Sequence, residues 1–207
     1  MTAPELSRFV ASGLVWTAER SLAEAVRRGV AERLDDLITD GRATVLKQNL
    51  VRTVLRVSQP PAPDGPGPWI VKRYVVRGPK DWLKYSFRAS RAAAEFRAGR
   101  ALAAAGVPTA VPLAKGERRH FVLRDAALVV PEIPAALQLG EYVKQHWGSG
   151  PEAAPRRTAL FDPLARIVRR MHDAGFVHRD LHGGNLLVSG PVAAPSIHVI
   201  DLHSVRS

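Results

Sequence analysis

The stretch FVHRDLHGGNLLV, Phe176 to Val188, is followed closely by IHVIDLH, Ile197 to His203. Its apolar flanks, Phe176-Val177 and Leu186-Leu187-Val188, read as buried anchors, and Gly183-Gly184 stops any helix from continuing between them. The polar residues His178 to Asn185 are therefore held on a loop pinned at both ends. Ile197 to Ile200 is a second short buried strand, and SGPVAAPS between the two runs is a hairpin loop. That hairpin returns Asp201 to the side of Asn185. That puts three acid or amide side chains, those of Asp180, Asn185 and Asp201, in one place.

The 207 residues are 46% hydrophobic and 24% charged, enough for one domain or two small lobes with a real core. A formal net charge of +11 selects anionic partners: a phosphorylated substrate, an acidic membrane surface or nucleic acid. With no cysteine there is no disulfide framework and no thiolate metal site, which fits a reducing compartment. No leader of signal-peptide type and no run of eighteen apolar residues occurs. The expectation is a soluble, cytoplasmic protein, with contact to a membrane surface as an additional reading.

Leu22, Val26, Val30 and Leu34 recur every fourth residue, so residues 1–36 are expected as an N-terminal helical segment. From Leu37 the pattern shifts to short β-branched runs, LIT, ATVLKQ and RTVLRVS, which read as antiparallel strands. The proline-rich Ser58 to Pro68 is a loop, and WIVKRYVV from Trp69 restarts the sheet. SRAAAEFRAGRALAAAG is a helix that stops at Gly106. FVLRDAALVVPEI supplies two more strand-like runs, LGEYVKQHW a short helix, GSGPEAAP a linker, and RTALFDPLARIVRRMHDAG a long amphipathic helix. The expected division is a strand-rich lobe over 37–130 and a helical lobe with the polar loop over 131–207.

His178-Arg179-Asp180-Leu181 with Asn185 resembles the catalytic-loop pattern H-R-D-L-x-x-x-N of protein kinases. Five specified residue types arise by chance in such a chain about once in ten thousand. Asp201-Leu202-His203 stands where those enzymes carry Asp-Phe-Gly, and Lys72 falls on a strand as their ATP-phosphate lysine does. Lys72-Arg73-Tyr74, DWLKYSFRASRA, GVPTAVPLA and HRDLHGGNLL with IDLH are similar to the lipopolysaccharide core kinases, the Kdo and heptose kinase family.

This resemblance implies an α+β protein-kinase-like two-lobed fold: an antiparallel-sheet N-lobe with one main helix, and an incomplete helical C-lobe. It implies ATP and Mg²⁺ as cofactors and a lipopolysaccharide inner-core sugar, Kdo or heptose, as substrate. Asp180 would be the catalytic base, Asn185 and Asp201 the metal ligands, Lys72 the phosphate clamp and Glu95 its partner. His182 is a candidate contact to substrate or phosphate. The basic aromatic stretch from Lys72 to Arg91 is a candidate landing site for phosphorylated lipopolysaccharide or the inner leaflet.

No G-x-G-x-x-G precedes Lys72, so the nucleotide roof is expected to be built differently. The chain stops at Ser207, where the family pattern continues, so the C-lobe is expected to be short and Leu164, Ile167 and Met171 partly uncovered. Two alternatives accompany the kinase reading: a small-molecule kinase of the antibiotic phosphotransferase type, and an inactive nucleotide-binding pseudokinase. Nucleic acid is not expected as a partner, because basic charge alone does not explain the loop. His178 and His182 have helical zinc-ligand spacing, but Gly183-Gly184 forbids the helix it needs.

Overall fold

Alternating burial begins earlier in the chain than the helical periodicity suggests. In the computed structural model, which describes residues 5–58, 67–78, 85, 88–148, 151 and 153–207, Leu6–Ala11 (β1) and Leu14–Glu19 (β2) form an antiparallel hairpin. Its turn is Ser12-Gly13, both at positive φ. Leu14, Trp16 and Ala18 alternate into the core, a period of two that a helix cannot satisfy. The helical expectation for residues 1–36 is thus corrected: helix α1 covers Ala23–Gly29, and a 3₁₀ turn follows at Ala31–Arg33.

Five more strands complete the sheet: Ala43–Gln48 (β3), Arg52–Val57 (β4), Trp69–Val75 (β5), Ala114–His120 (β6) and Val122–Pro131 (β7). They are ordered β1-β2-β6-β7-β5-β4-β3, and every pairing is antiparallel. LIT lies in turns rather than a strand, and the two runs expected in FVLRDAALVVPEI are one ten-residue strand. The polar β6 carries no apolar alternation; Gly116 holds its place because Trp16 packs flat against it. A Cβ at Gly116 would come within 2.8 Å of the indole.

Two compact units result, Met1–Phe96 with Val111–Glu132 and Arg97–Ala110 with Ile133–Ser207. The first unit therefore includes the N-terminal hairpin and excludes residues 97–110, unlike the contiguous division at 36 and 130. In it one sheet face, through Trp16, Val57, Trp69, Val71 and Val129, packs against Val26, Val30 and Leu34. Lys72 and Tyr74 point to the other face, toward helix α2 (Arg91–Ala104). Residues 79–84 and 86–87 of the basic aromatic stretch, and loop 59–66, lie outside the described residues.

The second unit holds helices α3 (Leu139–His146) and α4 (Ala153–Asp173) with short strands. These are Leu137–Gln138 (β8), Val177–His178 (β9), Leu186–Ser189 (β10), Ser196–Val199 (β11) and Val205–Arg206 (β12). The hairpin β10-β11 gains β8 on its other edge, and β12 pairs with β9. Tyr142, Leu160, Ile167 and Met171 close over Val188, Ile197, Val199 and Leu202. Ile167 and Met171 are thus buried, contrary to expectation, since β10, β11 and the 202–205 segment bring enough apolar surface to cover them; Leu164 is half-buried. No described helix is long and apolar enough to cross a membrane.

Candidate active site

In the first unit, Lys72 and Tyr74 are two residues apart on β5 and share a face. Glu95 lies in the first turns of α2, whose start is capped by Ser90: its Oγ accepts from the Ala93 N–H at 2.9 Å. Lys72 Nζ donates to Glu95 Oε1 at 2.5 Å, and the Tyr74 hydroxyl donates to Glu95 Oε2 at 3.1 Å. All three are buried. Both carboxylate oxygens are thus engaged, so the ammonium is held in one place rather than left to sample rotamers. Tyr74 was not anticipated, although its two-residue offset from Lys72 on a strand points to it.

In the second unit, β9 ends at His178 and the loop that follows is organised by side-chain to backbone bonds. His178 Nδ1 accepts from the Asp180 N–H at 3.2 Å and lies 3.3 Å from Ser204 Oγ, while Nε2 faces the Ile200 carbonyl at 3.3 Å. These partners assign the tautomer with the proton on Nε2. One buried imidazole therefore ties Asp180 to the backbone just before Asp201. Ser204, also unanticipated, joins the same knot, with its carbonyl facing the Arg179 N–H at 3.5 Å.

His182 caps the short 3₁₀ turn Gly183–Asn185 by accepting the Gly184 N–H at Nδ1, 3.1 Å away. A Cβ on Gly184 would sit 2.9 Å from the imidazole, which is why glycine occupies that position. Asn185 is buried, and its Nδ2 donates to the Asp180 carbonyl at 2.7 Å while lying 3.5 Å from Asp180 Oδ2 and 3.2 Å from His182 Nε2. Its amide oxygen is the acceptor end of the same side chain. Asp180 itself is exposed.

The pairing of β10 with β11 carries the chain back so that the Ile200 N–H donates to the Asn185 carbonyl at 2.9 Å. Asp201 follows in the left-handed conformation, φ 60°, uncommon for a non-glycine residue. Its Oδ1 lies 3.1 Å from His203 Nδ1. Within this unit the fold gathers Asp180, His182, Asn185 and Asp201; Lys72 and Glu95 are gathered in the other. Asn185 and Asp201 offer hard oxygen donors of the kind Mg²⁺ takes.

Residues 64–207 match the lipopolysaccharide kinase (Kdo/WaaP) family. Among curated proteins, the lipopolysaccharide core heptose(I) kinase WaaP of Pseudomonas aeruginosa is 35% identical over 117 residues, covering 55% of this chain and 44% of that protein. The WaaP heptose(I) kinase of Escherichia coli is 30% identical over 106 residues, 49% of this chain and 40% of its own length. The chain thus matches less than half the length of these relatives. A solved structure of WaaP in complex with acyl carrier protein superposes with a TM-score of 0.62 at 22% identity, covering 97% of this chain and 73% of that one. That likeness shows the α+β protein-kinase-like fold. The family match spans well over half of the sequence and contains the whole polar loop, so the chain belongs to the lipopolysaccharide kinase (Kdo/WaaP) family.

Proposed function

We propose that this protein transfers the γ-phosphoryl group of ATP to a hydroxyl of a lipopolysaccharide inner-core sugar, with heptose, named for both curated relatives, as the first acceptor to try. The observation that carries the reading is the Asp180-Asn185-Asp201 arrangement: a solvent-facing carboxylate beside an amide and a second carboxylate, all bonded into one backbone frame.

The acceptor hydroxyl hydrogen-bonds to Asp180, which orients its oxygen toward the γ-phosphorus. As the new O–P bond forms, the bond from the γ-phosphorus to the β–γ bridging oxygen breaks, ADP leaves, and the hydroxyl proton passes to the Asp180 carboxylate. Lys72, steadied by Glu95 and Tyr74, offsets phosphate charge. Asn185 and Asp201 would hold Mg²⁺, which when bound neutralises charge on the phosphate oxygens. His182, its ring fixed over Gly184, stands beside Asp180 to meet substrate or phosphate.

Family membership favours this acceptor class over an antibiotic phosphotransferase. The complete set of Asp180, Asn185, Asp201, Lys72 and Glu95 favours transfer over a pseudokinase. Because the acceptor is carried by a lipid, peripheral contact with the cytoplasmic face of the inner membrane belongs to the same reading. Incubation with labelled ATP, Mg²⁺ and deacylated lipopolysaccharide, beside Asp180→Ala, tests it. Label is expected with the parent protein and not with the variant; equal label in both rejects the assignment.

A further inference from the structure

The register of the seven-stranded sheet places three hairpin tips at one end. A single cross-strand row runs Val10, Val15, Glu117, Ala126, Tyr74, Arg52 across six strands. Beyond that row, on the same side of it, lie the β1-β2 turn at Ser12-Gly13, the β6-β7 turn at Phe121 and the β3-β4 turn at residues 49–51. The three most exposed large apolar side chains among the described residues belong to these tips: Val10 at 68%, Leu50 at 78% and Phe121 fully exposed. Among the described residues eight other large apolar side chains are exposed; Val15, the cross-strand partner of Val10, adds to this end, and the other seven lie away from these three turns.

The tips are built rather than loose. Asn49 Oδ1 accepts the N–H groups of Val51 and Arg52 at 3.1 and 2.8 Å, and the Asn49 N–H donates to the Arg52 carbonyl, so the turn that presents Leu50 satisfies its own backbone. Phe121 has φ 60°, where glycine is comfortable and a phenylalanine is strained. A bulky ring held in water at a conformational cost has no benefit for folding, and such an outlier points to function. Around the tips stand the exposed Arg77, Arg119, His120 and Arg124. Among the described residues, the acids near this end, Glu117, Asp125 and Asp35, are already joined to Arg119, Arg118 and Arg73. Apolar tips in a cationic surround fit a surface that is oily beneath and negative on top.

We infer that this end of the sheet docks on an anionic lipid bilayer, with Phe121 and Leu50 entering the interfacial layer and the surrounding arginines meeting lipid phosphates. The inference rests on the proposed function only for which bilayer is meant. Docking is read without any phosphoryl transfer, so its failure is separate from failure of the kinase assignment.

The test is flotation of the full chain with phosphatidylcholine vesicles and with vesicles doped with phosphatidylglycerol, over a salt series. The parent protein is expected to float with the anionic vesicles, less so as salt rises, and to leave the neutral ones. Phe121→Gly with Leu50→Ser is expected to weaken binding about tenfold or more. Phe121→Gly alone is expected to raise the melting temperature while weakening binding, a pair of changes that unfolding cannot produce. Arg77→Glu with Arg124→Glu is expected to abolish the preference for anionic lipid. The proposal is overturned if the parent protein does not float. It is equally overturned if the apolar double variant floats like the parent, including the case in which that variant instead loses affinity for ATP and the tips thereby prove to cover nucleotide.

Discussion

Asn185 Nδ2 donates to the backbone carbonyl of Asp180 at 2.7 Å, so the amide that would present its oxygen to a metal also fixes the backbone that carries the carboxylate proposed as the base. Replacing Asn185 with Ala removes both effects and leaves a carbonyl without its partner. A loss of about 1–3 kcal/mol in unfolding free energy is expected from urea titration. Phosphoryl transfer in single-turnover assays should fall far more than that loss of folded protein explains. Retained transfer in a folded Asn185→Ala would remove Asn185 from the metal site.

The buried pair Lys72 and Glu95 behaves differently when one partner or both are removed. Glu95→Leu leaves an ammonium uncompensated and should cost about 3–5 kcal/mol. The double variant Lys72→Met with Glu95→Leu should be more stable than that single variant, though inactive. Denaturant melts of the parent, Glu95→Leu, Lys72→Met and the double variant form a cycle whose coupling energy measures the pair.

Gly183 and Gly184 adjoin in sequence but not in tolerance. At Gly183 a new Cβ meets only Leu139 at ordinary contact distance, whereas at Gly184 it meets the His182 ring at 2.9 Å. Gly184→Ala should displace that imidazole and lower transfer about ten- to a hundredfold with little change in melting temperature. Gly183→Ala should stay close to the parent in both readouts, and similar losses for the two would show that His182 placement is not the cause.

His198, on β11, is half-buried with no hydrogen-bond partner for Nδ1 among the described residues, and burial pushes its pKa below the ordinary histidine value. The folded state therefore resists the proton that the unfolded chain accepts. As pH falls through about 6.5, the unfolded state gains protons first and stability declines, continuing until the depressed folded value is reached. Above that window this residue contributes no pH dependence. Comparing denaturation midpoints near pH 5.5 and 7.5 in the parent and in His198→Gln should show a smaller acid loss in the variant. An unchanged loss would trace it to other groups.

The polar loop was legible because its pattern is local: Asp180, His182 and Asn185 are spaced within one turn-bound segment, and Asp201 follows a short hairpin. Lys72 and Glu95 were legible through the order of elements, one on an apolar strand and one on a helix that closes at Gly106. Tyr74 and Ser204 were not, because a tyrosine on a strand and a serine in a turn are ordinary until a partner from a distant segment meets them. The N-terminal hairpin was not legible because LSRFVA and LVWTAE are only six residues each, and their alternation becomes decisive only when they pair with each other and with β6. Strand β6 was missed because AKGERRH has no apolar alternation, its place depending on Trp16 resting on Gly116.

What the sequence determined alone is the chemistry on offer: which oxygens and nitrogens are present, and that glycines and flanking apolar runs must present them on a loop. What only the tertiary structure decided is which groups meet. The Lys72-Glu95-Tyr74 contact, the His178 knot and the gathering of Val10, Leu50 and Phe121 at one end all depend on strand register, which is set by cross-strand burial between segments far apart in the chain.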